Sequence, residues 1–122
     1  MGHVNIALRL SNPVDPTKNL ETTALVDTGA TFTTVPRQIF ENLQLTVTAK
    51  RKVSTASKME TLEESFVAVE INGDQTVTPI LISDTLEKIL VGVITLESLA
   101  LTVNPTTGKL EEAETYLLRA QD

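Results

Sequence analysis

The sequence contains no cysteine and no tryptophan, and only 3% of its 122 residues are aromatic. The absence of cysteine excludes a disulfide framework and a thiolate metal site. It is compatible with a reducing compartment, and we expect a cytoplasmic protein. With so few aromatic side chains, the hydrophobic core must be built from leucine, valine and isoleucine.

The sequence also lacks long hydrophobic runs and a positive net charge. No apolar segment approaches the roughly 20 residues needed to span a membrane, and there is no basic-then-apolar leader at the N-terminus. The 10 basic and 16 acidic residues give a net charge of −6, which repels nucleic acid and anionic membranes. We therefore expect a soluble protein with no nucleic-acid or membrane partner. The single histidine, His3, is expected at the surface, because a lone histidine makes no metal site.

The sequence consists of short strand-like segments separated by turn signals. Residues 4–10 alternate apolar and polar side chains, and residues 20–26 become continuously apolar toward their end. Asn72-Gly73 predicts a hairpin turn, because both residues tolerate the positive φ angles of a type I′ turn. Residues 36–43 have helical spacing after a proline, which predicts one or two helical turns. The pattern predicts one mostly β domain, either a small barrel or a sandwich.

The segment TTALVDTGATFTTVP, residues 22–36, places an aspartate at the end of an apolar strand. An acidic residue there destabilises a fold unless it is paired or used. In Asp27-Thr28-Gly29 the carboxylate can activate water and the hydroxyl can orient the loop. The glycine permits a tight turn or the close approach of a substrate. A chain of this composition holds ~0.03 copies of the tripeptide by chance, so the motif favours a carboxylate placed for chemistry.

The segment ALVDTGATFTTVP resembles the active-site segment of the retropepsin-like aspartic proteases, of the single-domain microbial (clan AA) type. Their pattern is an apolar residue followed by Asp-Thr/Ser-Gly-Ala-Ser/Thr. A second family signature, two apolar residues and a glycine before a short helix, is similar to Leu90-Val91-Gly92 followed by TLESL. The strand-turn-strand pattern LALTVNPTTGKL also resembles what microbial members carry after this helix. The likeness extends from the first strand to about Leu110.

The resemblance implies a single domain over residues 1–122, folded as a small closed all-β barrel with one or two short helices. It implies an aspartic endopeptidase that hydrolyses peptide bonds with a water activated between two carboxylates, without a metal or an organic cofactor. The chain supplies one such carboxylate, Asp27. The resemblance therefore implies a homodimer that binds a peptide or protein substrate between its two chains.

The resemblance also assigns roles to the residues of both motifs. Asp27 corresponds to the catalytic carboxylate, and Thr28 to the hydroxyl that locks the two active-site loops together. The residues that support the active-site loop are Thr28, Gly29, Ala30 and Thr31. The structural signature consists of Leu90, Val91 and Gly92, and its glycine is expected to let the strands cross closely beneath the loop.

Two other segments have structural interpretations. Asp84-Thr85 is not a second copy of the motif, because Leu86 stands where glycine is required. Asp84 with Glu87 three residues later is a capping pattern and predicts a helix N-cap at Asp84. The basic run at residues 50–52 is typical of a protected, solvated strand edge; attraction of acidic substrates is the other interpretation.

Family members cover the substrate with a hairpin, the flap, which the resemblance places at about residues 50–71. Strand-like runs at residues 50–56 and 65–71 are predicted to be joined by residues 57–64. The expected substrate-contacting residues near the tip are Thr55, Ala56, Ser57, Lys58 and Met59. Because this segment has no glycine, a catalytically inactive dimeric module that binds peptides or serves as a scaffold remains an alternative. The C-terminal tail, residues 111–122, is expected in the dimer interface.

Overall fold

The computed structural model describes residues 4–113. Its strands are β1 (Val4–Ser11), β2 (Asn19–Val26), β3 (Thr33–Pro36), β4 (Ala49–Ser54), β5 (Met59–Ile71), β6 (Asp74–Ser83), β7 (Ile89–Val91), β8 (Leu101–Val103) and β9 (Leu110–Glu112). Its helices are α1 (Arg37–Asn42) and α2 (Val93–Ser98). The expectations for His3 and for residues 114–122 of the tail fall outside the described residues.

Six strands close into a barrel in the order β1-β2-β7-β3-β6-β5, because β5 pairs back onto β1. The closing register places Arg9 opposite Glu70 and Leu10 opposite Val69. Among the described strands, β4 pairs only with the first half of β5 and so forms a free edge. β8 and β9 form a separate antiparallel pair. The closed all-β barrel with two short helices confirms the fold class expected from the sequence.

The interior of the barrel is aliphatic, as the composition predicted. In β1, Leu8 and Leu10 are buried, whereas Arg9 between them is exposed. Each of the six barrel strands contributes side chains that are almost completely buried: Leu10, Val26, Val35, Val67, Val69, Ile71, Ile80, Ile82, Ile89 and Val91. Full burial of one such side chain contributes about 1.5–3 kcal/mol. The packed barrel is therefore a rigid base for the loops at its ends.

The turn at Asn72-Gly73 joins β5 to β6, as predicted. Both residues have the positive φ of a type I′ turn, 55° and 86°, and Ile71 pairs directly with Asp74 across it. Helix α1 lies within the segment predicted to be helical. Within residues 4–113, no helix is long and apolar enough to cross a membrane.

The prediction that residues 57–64 only connect the two strands of the flap hairpin is wrong, because most of this segment is itself strand. β5 begins at Met59 and pairs with β4 as far as Glu64. Most side chains of this stretch are polar, and those near its start are partly or fully exposed. The backbone pairing therefore forms without the alternation of apolar residues that would indicate a strand in the sequence.

The predicted helix N-cap at Asp84 is also wrong, because the chain between β6 and β7 bends without forming a helix. The hydroxyl of Ser83 accepts the local hydrogen bonds instead, from the backbone N–H groups of Thr85 (3.1 Å) and Leu86 (2.9 Å). The Asp84 carboxylate accepts two hydrogen bonds from Arg37. A partner 47 residues away leaves no local pattern in the sequence.

Candidate active site

The Asp27-Thr28-Gly29 motif lies in the loop of residues 27–32, which connects β2 to β3 at one end of the barrel. β7 lies between these two strands: it is parallel to β2, with Val26 opposite Val91, and it makes one antiparallel bridge to β3. The backbone N–H of Asp27 donates to the carbonyl of Val91 at 2.9 Å. The loop therefore begins where the sheet pairing holds its first residue in place.

Two further hydrogen bonds fix the shape of the Asp27 loop. The Asp27 carboxylate oxygen Oδ1 accepts from the backbone N–H of Gly29 at 2.9 Å, and the Asp27 carbonyl accepts from the N–H of Ala30 at 3.0 Å. A Cβ atom on Gly29 would lie 3.2 Å from the same Oδ1. The absence of a side chain at Gly29 thus lets the turn close onto the carboxylate and orient it.

The outer side of the loop is open in the single chain. Asp27 and Ala30 are half-buried, whereas Thr28, Gly29 and Thr31 are exposed. Within residues 4–113, the Thr28 hydroxyl makes no hydrogen bond. In the single chain, Asp27 is therefore partly accessible to solvent, next to the exposed Thr28.

The second sequence motif supports the inner side of the loop. The N–H groups of Val93 and Ile94, at the start of α2, donate to the carbonyls of Ala30 (2.8 Å) and Thr31 (3.0 Å). A Cβ atom on Gly92 would lie 2.6 Å from the backbone carbonyl of Phe32. Only a glycine fits this crossing without displacing the loop. The structure thus brings the two motifs together, although 60 residues lie between Gly29 and Leu90 in the sequence.

A chain of buried hydroxyl groups, which the sequence interpretation did not identify, joins the loop to the barrel. The Thr33 hydroxyl accepts from the backbone N–H of Gly92 at 3.0 Å and lies 2.6 Å from the Thr95 hydroxyl, which lies 3.0 Å from that of Thr78. All three threonines are at most 1% exposed. The signal in the sequence was a hydroxyl residue directly after the loop and another three positions after Gly92.

The expected flap is a hairpin formed by β4 and the first half of β5, with its tip at residues 55–58. The Thr55 hydroxyl accepts from the N–H groups of Ser57 (3.4 Å) and Lys58 (3.2 Å) and donates to the Lys58 carbonyl (2.9 Å). No residue of this tip has a positive φ. A glycine is therefore not required to close the turn. Met59, the fifth residue expected near the tip, begins β5 and is 65% exposed.

The hairpin contacts the active-site loop through Arg51 of β4. The Arg51 guanidinium lies 4.5 Å from the centroid of the Phe32 ring, and its Nε donates to Glu64 at 2.9 Å. The sequence interpretation identified neither Phe32 nor Glu64, because both contacts join distant parts of the chain. Arg51 thus links the edge strand of the hairpin to the loop that carries Asp27.

A second arginine, Arg37 in α1, links the hairpin to the segment that follows β6. Arg37 donates to both carboxylate oxygens of Asp84 (2.8 and 3.1 Å) and to Glu63 of β5 (2.6 Å). The hydrogen bond from Arg37 holds the pKa of Asp84 below its usual range, and the two carboxylates raise the pKa of Arg37. Within residues 4–113, no three His, Asp or Glu side chains are grouped as metal ligands.

Comparisons with known proteins agree with this geometry. The family described as aspartyl protease matches residues 16–118. The structure is similar to that of EIAV protease complexed with the inhibitor HBY-793, with a TM-score of 0.63 and 14% sequence identity, over 94% of this chain and 93% of that one. No curated protein matches the chain. The fold is thus that of a retroviral protease, and the chain belongs to the aspartyl protease family, whose members hydrolyse peptide bonds.

Proposed function

We propose that this chain is an aspartic endopeptidase that acts as a symmetric homodimer, with one Asp27 from each chain. The observation that carries the proposal is the open side of the loop, where Asp27 is half-buried and Thr28 and Gly29 are exposed. A two-fold axis beside this loop places identical residues opposite each other. The two carboxylates then meet, and each Thr28 hydroxyl finds a partner in the other loop.

The chemistry follows from the repulsion between two neighbouring carboxylates. Two such groups within hydrogen-bond distance repel each other when both are ionised, so loss of the second proton is disfavoured and the pair shares one proton over a range of pH. This arrangement is the established pattern of aspartic proteases. Activity is expected only in the singly protonated state, because one carboxylate must act as a base and the other as a hydrogen-bond donor.

In the first step, the ionised Asp27 takes a proton from a bound water while the water oxygen attacks the carbonyl carbon of the scissile bond. The protonated Asp27 of the other chain donates a hydrogen bond to the carbonyl oxygen, where negative charge develops. In the second step, a proton passes to the peptide nitrogen and the C–N bond breaks. The products are a carboxylic acid and an amine, and no metal or organic cofactor takes part.

The remaining motif residues act on Asp27 through the backbone in this proposal. Gly29, Ala30 and Thr31 keep the loop narrow, and the Leu90-Val91-Gly92 signature and the residue after it support the loop from below through the backbone hydrogen bonds described above. The hairpin tip, residues 55–58, and the adjoining Met59 cover the bound peptide. The substrate is then a peptide in extended conformation between the hairpin and the two Asp27 loops.

The alternative, an inactive dimeric module that binds peptides or serves as a scaffold, was suggested by the absence of glycine from the hairpin tip. The tip closes through the Thr55 hydroxyl and contains no residue with positive φ. The absence of glycine therefore does not argue against a working flap. This observation removes the argument on which the inactive module rested.

A mixing experiment tests the shared active site. Wild-type chains are co-refolded with about a ninefold excess of Asp27→Asn chains, and hydrolysis of an unstructured protein is measured across pH. With random pairing, about nine in ten wild-type chains then sit in heterodimers with one ionisable Asp27. Activity per wild-type chain is expected to fall about tenfold.

The matched control uses an excess of Thr107→Val chains, because Thr107 lies in the turn between β8 and β9 and belongs to neither the Asp27 loop nor the flap hairpin. These chains should not lower the activity per wild-type chain. Constant activity at every mixing ratio with Asp27→Asn would show that each chain works alone. The inactive module would be established if the wild type hydrolysed no peptide at any pH while the wild type and Asp27→Asn both still bound a peptide.

A further inference from the structure

Positive charge is concentrated in one part of the flap hairpin, the edge strand β4 and the tip. Residues 49–59 contain four basic residues, Lys50, Arg51, Lys52 and Lys58, and no acidic one. The whole chain has a net charge of −6, so the remaining residues together carry −10. The β5 half of the hairpin carries Glu60, Glu63 and Glu64, of which Glu63 binds Arg37 and Glu64 binds Arg51. The positive charge of β4 and the tip attracts anions only locally, because such fields act over about 8–10 Å at ordinary ionic strength.

Arg51 is the basic residue of this hairpin that reaches the active-site loop. Its guanidinium stacks on Phe32, which lies five residues after Asp27 in the same loop, at 4.5 Å from the ring centroid. Adjacent residues of a strand point to opposite faces, so Lys50 and Lys52 point to the other face of β4. The stack holds one guanidinium between the hairpin and the loop.

The hydrogen-bonding capacity of Arg51 is only partly used. Its Nε donates to Glu64, whose side chain is 8% exposed, while the Arg51 side chain is 44% exposed. Within residues 4–113, its two terminal nitrogens make no hydrogen bond. Arg37 differs, because all three of its nitrogens donate to Asp84 and Glu63.

A guanidinium with two free terminal N–H groups matches the two oxygens of a carboxylate. The other acidic side chains of the hairpin do not occupy this position: Glu63 binds Arg37, and Glu60 makes no ion pair with Arg51. Stacking on Phe32 and the bond to Glu64 restrict the guanidinium before a ligand arrives. Such pre-organisation reduces the entropy lost on binding.

We infer that Arg51 is a specificity-determining residue that binds an acidic side chain of the substrate, and that the substrates are peptides with Asp or Glu close to the scissile bond. This inference rests on the proposed function. The lysines of the hairpin steer such peptides toward the cleft, and Arg51 fixes the position of the carboxylate.

The test compares two peptides that differ only by Glu or Gln at one position near the cleavage site, with each position scanned in turn. The wild-type enzyme is expected to prefer the Glu peptide about tenfold in kcat/KM at one position, the size typical of a hydrogen bond to a charged group. In Arg51→Gln this preference is expected to fall to about one. Arg51→Lys, which keeps the charge but not the paired N–H groups, should retain a smaller preference.

The double variant Lys50→Gln/Lys52→Gln separates a specific contact from general attraction. It is expected to lower kcat/KM for acidic peptides and to weaken its salt dependence, while the Glu-over-Gln preference at the Arg51 position persists. If the lysine variant abolishes that preference as fully as Arg51→Gln does, or if the preference is unchanged in Arg51→Gln, the assignment to Arg51 is wrong.

Failure of the proposed function has a different signature. If the wild type cleaves no peptide, binding of the Glu and Gln peptides to Asp27→Asn is measured by calorimetry at low and high salt. A preference for Glu that Arg51→Gln removes then supports the acidic ligand without catalysis. Equal affinity for both peptides overturns the inference.

Discussion

The backbone N–H of Gly92 donates a hydrogen bond to the side-chain hydroxyl of Thr33 at 3.0 Å, in the buried space beneath the Asp27 loop. The two residues belong to different motifs of the chain, and this bond satisfies a buried donor that has no strand partner. Thr33 in turn lies 2.6 Å from the hydroxyl of Thr95 in α2. The hydroxyl of Thr33 is thus the point at which the loop, the β7 crossing and the helix are held together.

Replacing Thr33 by valine is expected to reduce the free energy of unfolding by about 1–3 kcal/mol, because the N–H of Gly92 and the hydroxyl of Thr95 lose a buried partner. Thr33→Ser, which keeps the hydroxyl, should lose less. Thr31→Val is the matched control, because Thr31 is exposed in the same loop, and its effect should stay within about 0.5 kcal/mol. Denaturant unfolding at one fixed protein concentration measures all three. A Thr33→Val protein as stable as the wild type would contradict the role of this bond.

Gly92→Ala is expected to be more damaging than Gly29→Ala. The added methyl group at Gly92 would meet the Phe32 carbonyl at 2.6 Å, and backbone atoms cannot move aside without distorting the loop. At Gly29 the nearest atom is an Asp27 carboxylate oxygen at 3.2 Å, which can rotate. Gly92→Ala should therefore lose about 1–3 kcal/mol or more of stability, whereas Gly29→Ala should mainly lower kcat. Thermal unfolding and peptide hydrolysis distinguish the two; equal stability losses would contradict the argument.

Much of this architecture was predictable, because its signals are local in the sequence. Asn72-Gly73 identified a hairpin, since few other dipeptides accept two positive φ angles. Asp27-Thr28-Gly29 identified the loop, since a carboxylate at the end of an apolar strand destabilises the fold unless it is paired or used. The family signature at Leu90-Val91-Gly92 identified the support of this loop before its contacts were known.

The features that were not predicted depend on residues far apart in the chain. The capping pattern at Asp84 was misleading because Arg37, 47 residues earlier, binds its carboxylate. The start of β5 at Met59 was missed because pairing with β4, not burial, holds that stretch in the sheet. The Arg51–Phe32 stack joins an edge strand to a loop, and neither residue has a neighbour in the sequence that suggests the contact.

The ion pair between Arg37 and Asp84 makes stability depend on pH in a defined direction. Arg37 lowers the pKa of Asp84 in the folded protein, so the pair stabilises the fold fully above the unfolded pKa of about 3.9. The contribution is lost as the pH falls through the lower pKa of the folded state. The stability difference between wild type and Asp84→Asn should therefore shrink as the pH is lowered below about 4.

Carboxyl titration by NMR tests the cause directly. In Arg37→Gln the pKa of Asp84 should rise toward its ordinary value. Asp15 is an internal control, because hydrogen bonds from Thr17 lower its pKa and Arg37 plays no part in them. An Asp84 titration that is the same in both proteins would show that Arg37 is not the cause of the shift.

The Thr55 hydroxyl is expected to set how tightly the flap tip is closed. Thr55→Ala removes the hydroxyl that accepts hydrogen bonds from the Ser57 and Lys58 amides, so these amides should exchange faster with solvent. The KM should also rise, because a looser hairpin loses more entropy when it closes over a peptide. Thr55→Ser keeps the hydroxyl and should resemble the wild type. In the free wild-type protein, the tip amides should exchange faster than those of Val67 and Val69, which lie in the barrel.

Adding a peptide-like transition-state analogue should slow exchange at residues 55–58 in the wild type and less so in Thr55→Ala. The reason is that a lid over the cleft gains contacts only when the cleft is filled. Unchanged exchange at the tip on binding would show that this hairpin does not cover the ligand. If the tip amides of the free protein are as protected as those of the barrel strands, the hairpin does not open. If Thr55→Ala has the amide exchange and KM of the wild type, the Thr55 hydroxyl plays no part in closing the tip.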